Sequence, residues 1–158
     1  MFDDLSSEEQ FYWLGFIAAD GYVGDNGKIE LSLSDKDTSH LIKFNKFSQH
    51  INDNVKINNA SYNKKRCRWS VKNQYLKNRL IELGITPRKS NTYTYNNIFD
   101  NNFLTFLRGY FDGDGCISGN KTANKVYPQI TLLGTKEFLI KVKEILYTKY
   151  NIISYLSH

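Results

Sequence analysis

Two aspartates, Asp20 and Asp114, are the residues of this sequence with the clearest chemical potential. Each ends an apolar run of helix length and stands directly before a glycine, in Trp13–Gly21 and in Leu107–Gly115. The two runs align without a gap, which places the carboxyl groups at equivalent positions of a repeated element. A single Asp-Gly pair after a helix is a common helix stop, but a matched pair indicates a shared function. Two neighbouring carboxylates supply the oxygen ligands that Mg²⁺ takes in proteins.

Small residues inside both apolar runs indicate how the two carboxylates meet. A glycine within a helix costs about 1 kcal/mol relative to alanine, so a repeated glycine needs a reason in packing. Gly15 and Ala19, and likewise Gly109 and Gly113, are four residues apart and share one helix face. Such faces let two helix backbones approach closely. We therefore expect the two helices to pack through these four residues and to bring the carboxylates together, where a divalent cation relieves their repulsion.

The flanking patterns predict two copies of one order of elements. Ser6 and Glu9 form a capping box that starts the first helix near Ser7, and this helix ends at Gly21. Apolar periodicity then predicts strands at 22–24 and 28–34, a helix after Asp37-Thr38, strands around 55–57 and at 66–72, and a helix at about 74–83. After a polar linker at 86–97, the order restarts with a helix capped by Asp100 or Asn101, strands at 116–118 and 127–133, and a helix at 135–150. The predicted fold class is α+β.

Length, composition and charge bound the possible functions. With 158 residues and an apolar fraction of 41%, the chain can form one core or two fused half-domains. We divide it into a complete αββαββα repeat at 1–98 and an incomplete αββα repeat at 99–158. The net charge of +5 and the pI near 9.1 favour a polyanionic partner. Cys67 and Cys116 lack metal-ligand spacing and no apolar run is of membrane-spanning length, so we expect a cytoplasmic protein with reduced thiols.

At these residues the sequence strongly resembles the LAGLIDADG homing endonucleases, in the form that carries two motif copies on one chain. The resemblance extends to the segment Gly84–Ser90 before the second motif. It implies the family's α+β fold, with αββαββα repeats and a curved antiparallel sheet, and a site-specific enzyme that cuts both strands of double-stranded DNA. The resemblance also implies that Asp20 and Asp114 are catalytic and hold Mg²⁺ or Mn²⁺, which neutralise charge and activate water for phosphodiester hydrolysis.

Other positions match the family's pattern less evenly. Lys89 reads as a solvated loop lysine on composition alone, but it matches the family's basic residue near the scissile phosphate and is the third catalytic candidate. Asp35 and Thr135 match positions where the family places a polar residue that orients water. The other acidic motif position is Ala18 in one copy and Asp112 in the other. We therefore expect Asp112 to be a packing or helix-end residue and not an essential ligand.

Polar side chains on the predicted strands form a candidate DNA surface. Such a face is often only the solvated side of an antiparallel sheet. Arg66 and Arg68 favour DNA, as does the resemblance to a family that lays such sheets in the major groove. Arginine contacts guanine edges in a bidentate manner, and Ser, Asn and Gln contact other base edges. The candidates are Lys28, Glu30, Ser32, Ser34, Lys56, Asn58, Arg66, Arg68, Ser70 and Lys72 in the first repeat, and Gln129 and Thr131 in the second.

The sequence is compatible with three functions. The first is a homing endonuclease of an intron-encoded or free-standing mobile element, in the cytoplasm, an organelle or a phage-infected cell. It would act as a monomer or as a homodimer through the motif helices. The second is a DNA- or RNA-binding relic or a maturase-like splicing helper, which the incomplete second repeat favours and the retained Asp20, Asp114 and Lys89 oppose. The third is a basic α/β domain of unrelated function.

Overall fold

The structure is a computed structural model that describes residues 1–48, 55–58, 66–122 and 125–157, with the backbone alone at 55–58 and 120–122. Its helices and strands are α1 (Glu8–Asp20), β1 (Tyr22–Val23), β2 (Lys28–Ser34), α2 (Thr38–Phe47), β3 (Val55–Asn58), β4 (Arg66–Lys72), α3 (Gln74–Glu82), α4 (Phe103–Asp114), β5 (Gly115–Thr122), β6 (Lys125–Leu132) and α5 (Lys136–Tyr150). Short 3₁₀ helices lie at Asp35–Asp37, Lys89–Asn91 and Asn97–Asn102. The α+β class and the order αββαββα, αββα are as predicted.

The first unit comprises the elements from α1 to α3, and the second comprises those from α4 to α5. The first unit is built on a four-stranded antiparallel sheet in the order β1-β2-β4-β3. The alternation in β2 and β4 divides the sheet into an apolar and a polar face, because successive side chains point to opposite sides of a strand. The apolar face is paired across the strands, with Leu31 opposite Trp69 and Leu33 opposite Cys67. Helix α2 covers this face, and the ring of Phe44 lies 4.8 Å from that of Trp69. Helix α3 packs against β2 and ends at Glu82, and Gly84, two residues further on, has a φ of +88° that suits a glycine.

The second unit has a two-stranded sheet in which β5 and β6 form a long hairpin. The strands extend further than predicted, because residues 119–122 pair with 125–128 where the sequence suggested a polar loop. Ile117 lies opposite Ile130, and the two residues are 70% and 73% exposed. Helix α5 is buried along one side through Phe138, Val142 and Ile145. The apolar side of this hairpin therefore lacks, within the described residues, the cover that α2 and α3 give to the first sheet.

The predicted start of α1 near Ser7 is confirmed to within one residue, but its predicted capping pair was wrong. Helix α1 is capped by Ser7 and Gln10, not by Ser6 and Glu9. The Gln10 amide both accepts from the Ser7 backbone and donates to Met1 O and Asp4 Oδ1, and a glutamate carboxylate could not donate.

The start of α4 also differs from the prediction. It begins at Phe103, after a 3₁₀ helix whose cap is Asn96 instead of Asp100 or Asn101. The polar residues that look like caps in the sequence thus belong to a tighter helical turn that leads into α4.

Helices α1 and α4 join the two units through direct backbone contact. A methyl group added at Gly15 would lie 2.0 Å from the carbonyl oxygen of Phe106, and one added at Gly109 would lie 1.9 Å from that of Tyr12. One turn further along, a methyl group at Gly113 would lie 2.6 Å from the Cβ of Ala19. No side chain fits at Gly15 or Gly109, the two points where the backbones touch. The contact between α1 and α4, called the seam below, therefore requires glycine at both positions.

A polar contact on one flank of the seam also ties the units together. The Tyr12 hydroxyl on α1 donates to Asp112 Oδ2 on α4 at 2.6 Å and lies 3.1 Å from Nε2 of His40 on α2. The guanidinium of Arg108 lies 5.8 Å from the centroid of the Tyr12 ring, within the range of a cation–π contact. Asp112 thus has a packing role through Tyr12.

We expect Gly15→Ala and Gly109→Ala each to destabilise the protein by about 1–3 kcal/mol, because the added methyl group forces two backbones apart. Alanine is the better helix former by about 1 kcal/mol, so a loss of stability has to overcome that gain. Urea and thermal unfolding measure the change. Gly119→Ala is the control, because among the described residues the added methyl group would meet a side-chain methyl group of the exposed Val126 and no backbone atom. Seam variants that melt no lower than this control would contradict backbone contact between the helices.

We expect Tyr12→Phe to lower the free energy of unfolding by about 1 kcal/mol, because its hydroxyl bridges α1, α2 and α4. The control is Tyr75→Phe, which removes an equally short hydrogen bond, 2.6 Å to Asp3 Oδ1, from an exposed side chain. This change should stay within about 0.5 kcal/mol. Equal effects of the two substitutions in chemical denaturation would show that the Tyr12 hydroxyl does not stabilise the packing of α1 against α2 and α4.

Candidate functional site

Asp20 and Asp114 lie at the adjacent C-terminal ends of α1 and α4. Each is the last residue of its helix, and the glycine that follows is extended, with φ and ψ of −73° and 142° at Gly21 and −97° and 158° at Gly115. The seam sets their proximity, because a methyl group at Gly113 would lie 3.4 Å from Asp20 Cγ. The structure thus brings the two predicted carboxylates together.

The electrostatics of this pair are those of two acids held close to each other. Asp20 is at an exposed helix end, yet desolvation of its carboxyl and the neighbouring Asp114 charge raise its pKa to about 6, against the opposing effect of Lys89. Desolvation also raises the pKa of Asp114, and Lys89 again opposes the shift. Both carboxylates therefore lie in surroundings that disfavour their charge, and an added cation would stabilise the ionised forms.

Lys89 reaches the same place from the segment between the units. Arg88 adopts a left-handed conformation with φ of 59°, and Lys89 then begins a 3₁₀ turn. Its side chain is only 6% exposed, and Nζ donates to the carbonyl oxygen of Ala19 at 2.6 Å. Burial lowers the pKa of Lys89 to about 8, while the Asp114 and Asp20 carboxylates act in the opposite direction. This lysine is therefore a buried neighbour of both acids and not a solvated loop residue.

The donor set at the helix ends fits a magnesium-type cation better than a zinc-type one. Within the described residues, no group of three or more His, Cys, Asp and Glu side chains could hold a metal ion. Mg²⁺ is commonly held by one or two carboxylates and completes its shell with water and substrate phosphates. Asp20 and Asp114 are such a pair, and their raised pKa values agree with an unmet need for positive charge.

An open groove of about 1030 Å³ lies beside Asp20 in the first unit. It runs between the end of α4 at Asp112 and the loop that follows β2, and Asp35, the candidate for orienting water, is in its wall. Phe16 and His40 form another part of the wall, with ring centroids 4.8 Å apart. The groove leaves the Asp20 side of the carboxylate pair accessible to a large ligand.

The segment between the two units, at 86–97, covers the second unit near Thr135. The ring of Tyr93 lies 5.2 Å from that of Phe138 and stacks on that of Tyr110 at 6.1 Å. Thr135 donates to Tyr93 O and accepts from Phe138 N, so it caps α5. Its hydroxyl, which the resemblance suggests for orienting water, is engaged in these structural bonds.

The predicted DNA-contacting residues of the first unit share the polar face of one sheet. Lys28 pairs with Lys72, Glu30 with Ser70, Ser32 with Arg68 and Ser34 with Arg66 across β2 and β4. The backbones of Lys56 and Asn58 pair with Arg68 and Arg66, but their side chains lie outside the described part of the chain. Gln129 and Thr131 are on β6, in the separate two-stranded sheet.

The ion pairs of this polar face were not predicted from the sequence. Glu30 forms ion pairs with both Lys28 and Arg68, with N–O distances of 2.6 and 3.3 Å. The spacing of Lys28 and Glu30, two apart on one strand, signals that their side chains share a face. The cross-strand partner depends on the register of β2 with β4, which a single sequence does not supply.

Among the described residues, no helix is both long enough and apolar enough to cross a membrane.

Comparison with known proteins finds one family model and one curated relative. A family model described as a LAGLIDADG-like domain matches residues 103–158. An uncharacterized protein of Methanocaldococcus jannaschii is 30% identical over 147 residues, which cover 86% of this chain and 52% of that protein. The chain thus spans about half the length of this relative.

Solved structures share the fold over nearly the whole chain. The N-terminal LAGLIDADG domain of DUF199/WhiA is 19% identical with a TM-score of 0.54, over 98% of this chain and 72% of that one. The meganuclease I-SmaMI bound to uncleaveable DNA is 15% identical with a TM-score of 0.56, over 89% and 71% of the two chains. The family match at the second motif and this shared fold lead to one conclusion: residues 103–158 match a LAGLIDADG-like domain, and the chain has the fold that these LAGLIDADG structures share.

Proposed function

We propose that this protein binds double-stranded DNA and hydrolyses its phosphodiester bonds at the ends of α1 and α4, as a site-specific homing endonuclease. The observation that carries the proposal is the convergence of Asp20, Asp114 and the buried Lys89 at one point of the seam. Similarity to I-SmaMI, a meganuclease with bound DNA, supports the same class of substrate. Because one chain supplies both motif helices, a monomer is the proposed catalytic unit.

In this proposal Asp20 and Asp114 hold Mg²⁺ or Mn²⁺. The bound metal would neutralise charge on the phosphate and activate water for attack. The two carboxylates are fixed by the glycine seam, so they are positioned before substrate arrives. Lys89, anchored on Ala19 O, contributes positive charge that stabilises the developing oxyanion, and its burial makes that charge more effective than it would be in water.

The polar face of the four-stranded sheet is the proposed DNA surface. Its exposed cations are Arg66 and Lys72. The half-buried Arg68 lies between them on β4, and the half-buried Lys28 lies opposite Lys72 on β2. Lysine and arginine contacts with phosphate supply most of the affinity of such a face, and base-edge contacts supply the specificity. The second unit offers a narrower surface, with Gln129 and Thr131 on β6. We therefore place most DNA contacts on the first unit.

A second candidate is a DNA- or RNA-binding protein of this fold that does not cleave, including a maturase-like splicing helper. The observation that favours it is the unequal size of the sheets, four strands against two among the described residues. The fold alone does not discriminate, because it is shared by I-SmaMI and by the N-terminal LAGLIDADG domain of DUF199/WhiA. A plasmid-nicking assay with Mg²⁺ decides between cleavage and binding without cleavage.

We expect Asp20→Asn and Asp114→Asn each to abolish cleavage in Mg²⁺ while DNA affinity stays within about tenfold, or roughly 1.4 kcal/mol. An amide is a poorer ligand for a hard cation, but it leaves the sheet face unchanged. Asp112→Asn is the matched control, because it makes the same charge change two residues away and keeps an acceptor for Tyr12. Cleavage by either of the first two variants at the wild-type rate would exclude this metal site.

We expect the affinity for DNA to fall with salt at a slope of log K against log salt of about −4 to −5, if four to six phosphates are contacted. Lys72→Ala should reduce this slope by about one and weaken binding to all sequences similarly. Lys46→Ala is the control, since α2 lies on the opposite, apolar side of the same sheet. Footprinting should show stronger protection over one half-site. A slope changed equally by both substitutions would contradict the assigned face.

A further inference from the structure

We propose that Glu30 sets sequence specificity by orienting Arg68 toward a guanine in the major groove. This inference rests on the DNA-binding half of the proposed function and is independent of cleavage. It concerns a positioning residue: Glu30 acts through Arg68 and does not itself contact the base. The cluster consists of Glu30, Arg68 and Lys28 on the polar face of the four-stranded sheet.

The geometry of the cluster leaves the recognition edge of Arg68 available. Glu30 Oε1 lies 3.3 Å from Nε of Arg68, and Glu30 Oε2 lies 2.6 Å from Nζ of Lys28. The ion pair with Arg68 is formed by Nε, so neither terminal nitrogen of the guanidinium is the atom paired with the carboxylate. Those two nitrogens form the fork that matches O6 and N7 of guanine.

Burial makes Glu30 the fixed member of the cluster. Its side chain is only 14% exposed, whereas the side chains of Arg68 and Lys28 are each 41% exposed. Lys28 is further restrained by the ring of Tyr22, with Nζ 5.9 Å from the ring centroid. A planar guanidinium tethered to a nearly buried carboxylate has fewer orientations to lose when it binds a base, so the interaction is pre-organised.

A carboxylate at this position is otherwise unfavourable for a DNA surface. It cancels one positive charge on a face that gains affinity from each cation it presents to phosphate. The strand pairing does not require it, because its cross-strand partners are the neutral Tyr22 and Ser70. Structure and charge together therefore indicate that Glu30 lowers general affinity for DNA and raises discrimination between sequences.

The test is selection of binding sites from a randomised DNA library without Mg²⁺, with wild-type protein, Glu30→Gln, Arg68→Lys and Arg66→Lys. We expect Glu30→Gln and Arg68→Lys to lose the same single guanine preference, by about tenfold. Affinity for unrelated DNA should hold or rise in Glu30→Gln, since a negative charge is removed. Arg66→Lys is the control on the same strand, with no carboxylate bonded to it among the described side chains, and it should leave that position unchanged.

Each outcome decides the question. An unchanged base profile for Glu30→Gln would overturn the proposal, and so would loss of a cytosine preference, which would mean that Glu30 contacts the base directly. Parallel loss of specific and unrelated binding, with a lowered melting temperature, would also overturn it, because Glu30 would then only stabilise the sheet. Wild-type protein that binds no DNA would instead refute the proposed DNA surface, whatever the variants do.

Discussion

The rest of the structure depends on the direct contact between the backbones of α1 and α4. At both crossing points a carbonyl oxygen occupies the space that a Cβ atom would need, next to Gly15 and Gly109. Helices this close run side by side to their last residue, so both C-terminal carboxylates arrive at one place. The glycines thus bring the two carboxylates together without contributing a polar side chain themselves. They also join the cores of the two units, whose sheets have no strand in common.

The acids and bases of the protein are arranged differently at its two polar features. At the seam, two carboxylates and one buried ammonium leave an excess of negative charge, which suits a cation. On the sheet, two cations and one nearly buried carboxylate leave an excess of positive charge, which suits phosphate. In both places a minority charge holds the geometry: Lys89 by its bond to Ala19 O, and Glu30 by its two ion pairs. The overall charge of +5 conceals this division.

Sequence reasoning predicted the features that depend on local periodicity and repetition. The alternation in β2 and β4, the extent of α1 and the two-helix seam follow from side-chain spacing alone. The prediction of a helix cap was wrong where more than one polar side chain could cap the same helix, as Ser6 and Ser7 could for α1. The choice depends on the other hydrogen bonds that the capping side chains make in the folded structure, and the sequence does not show these. Contacts set by tertiary packing were not accessible either, such as Tyr12 with Asp112 or the burial of Lys89. The metal and DNA assignments remain predictions.

The hairpin of β5 and β6 is held less firmly than the four-stranded sheet of the first unit. Its exposed pair Ile117 and Ile130 adds little burial, and a two-stranded hairpin is only marginally stable by itself. Amide protons of β5 and β6 should therefore exchange with solvent through local opening, at a much lower free energy than those of β2 and β4. A surface that comes to cover this hairpin must offset the entropy of ordering it. The described part of the chain thus combines a sheet that a helix covers on its apolar face with a hairpin whose apolar pair is exposed.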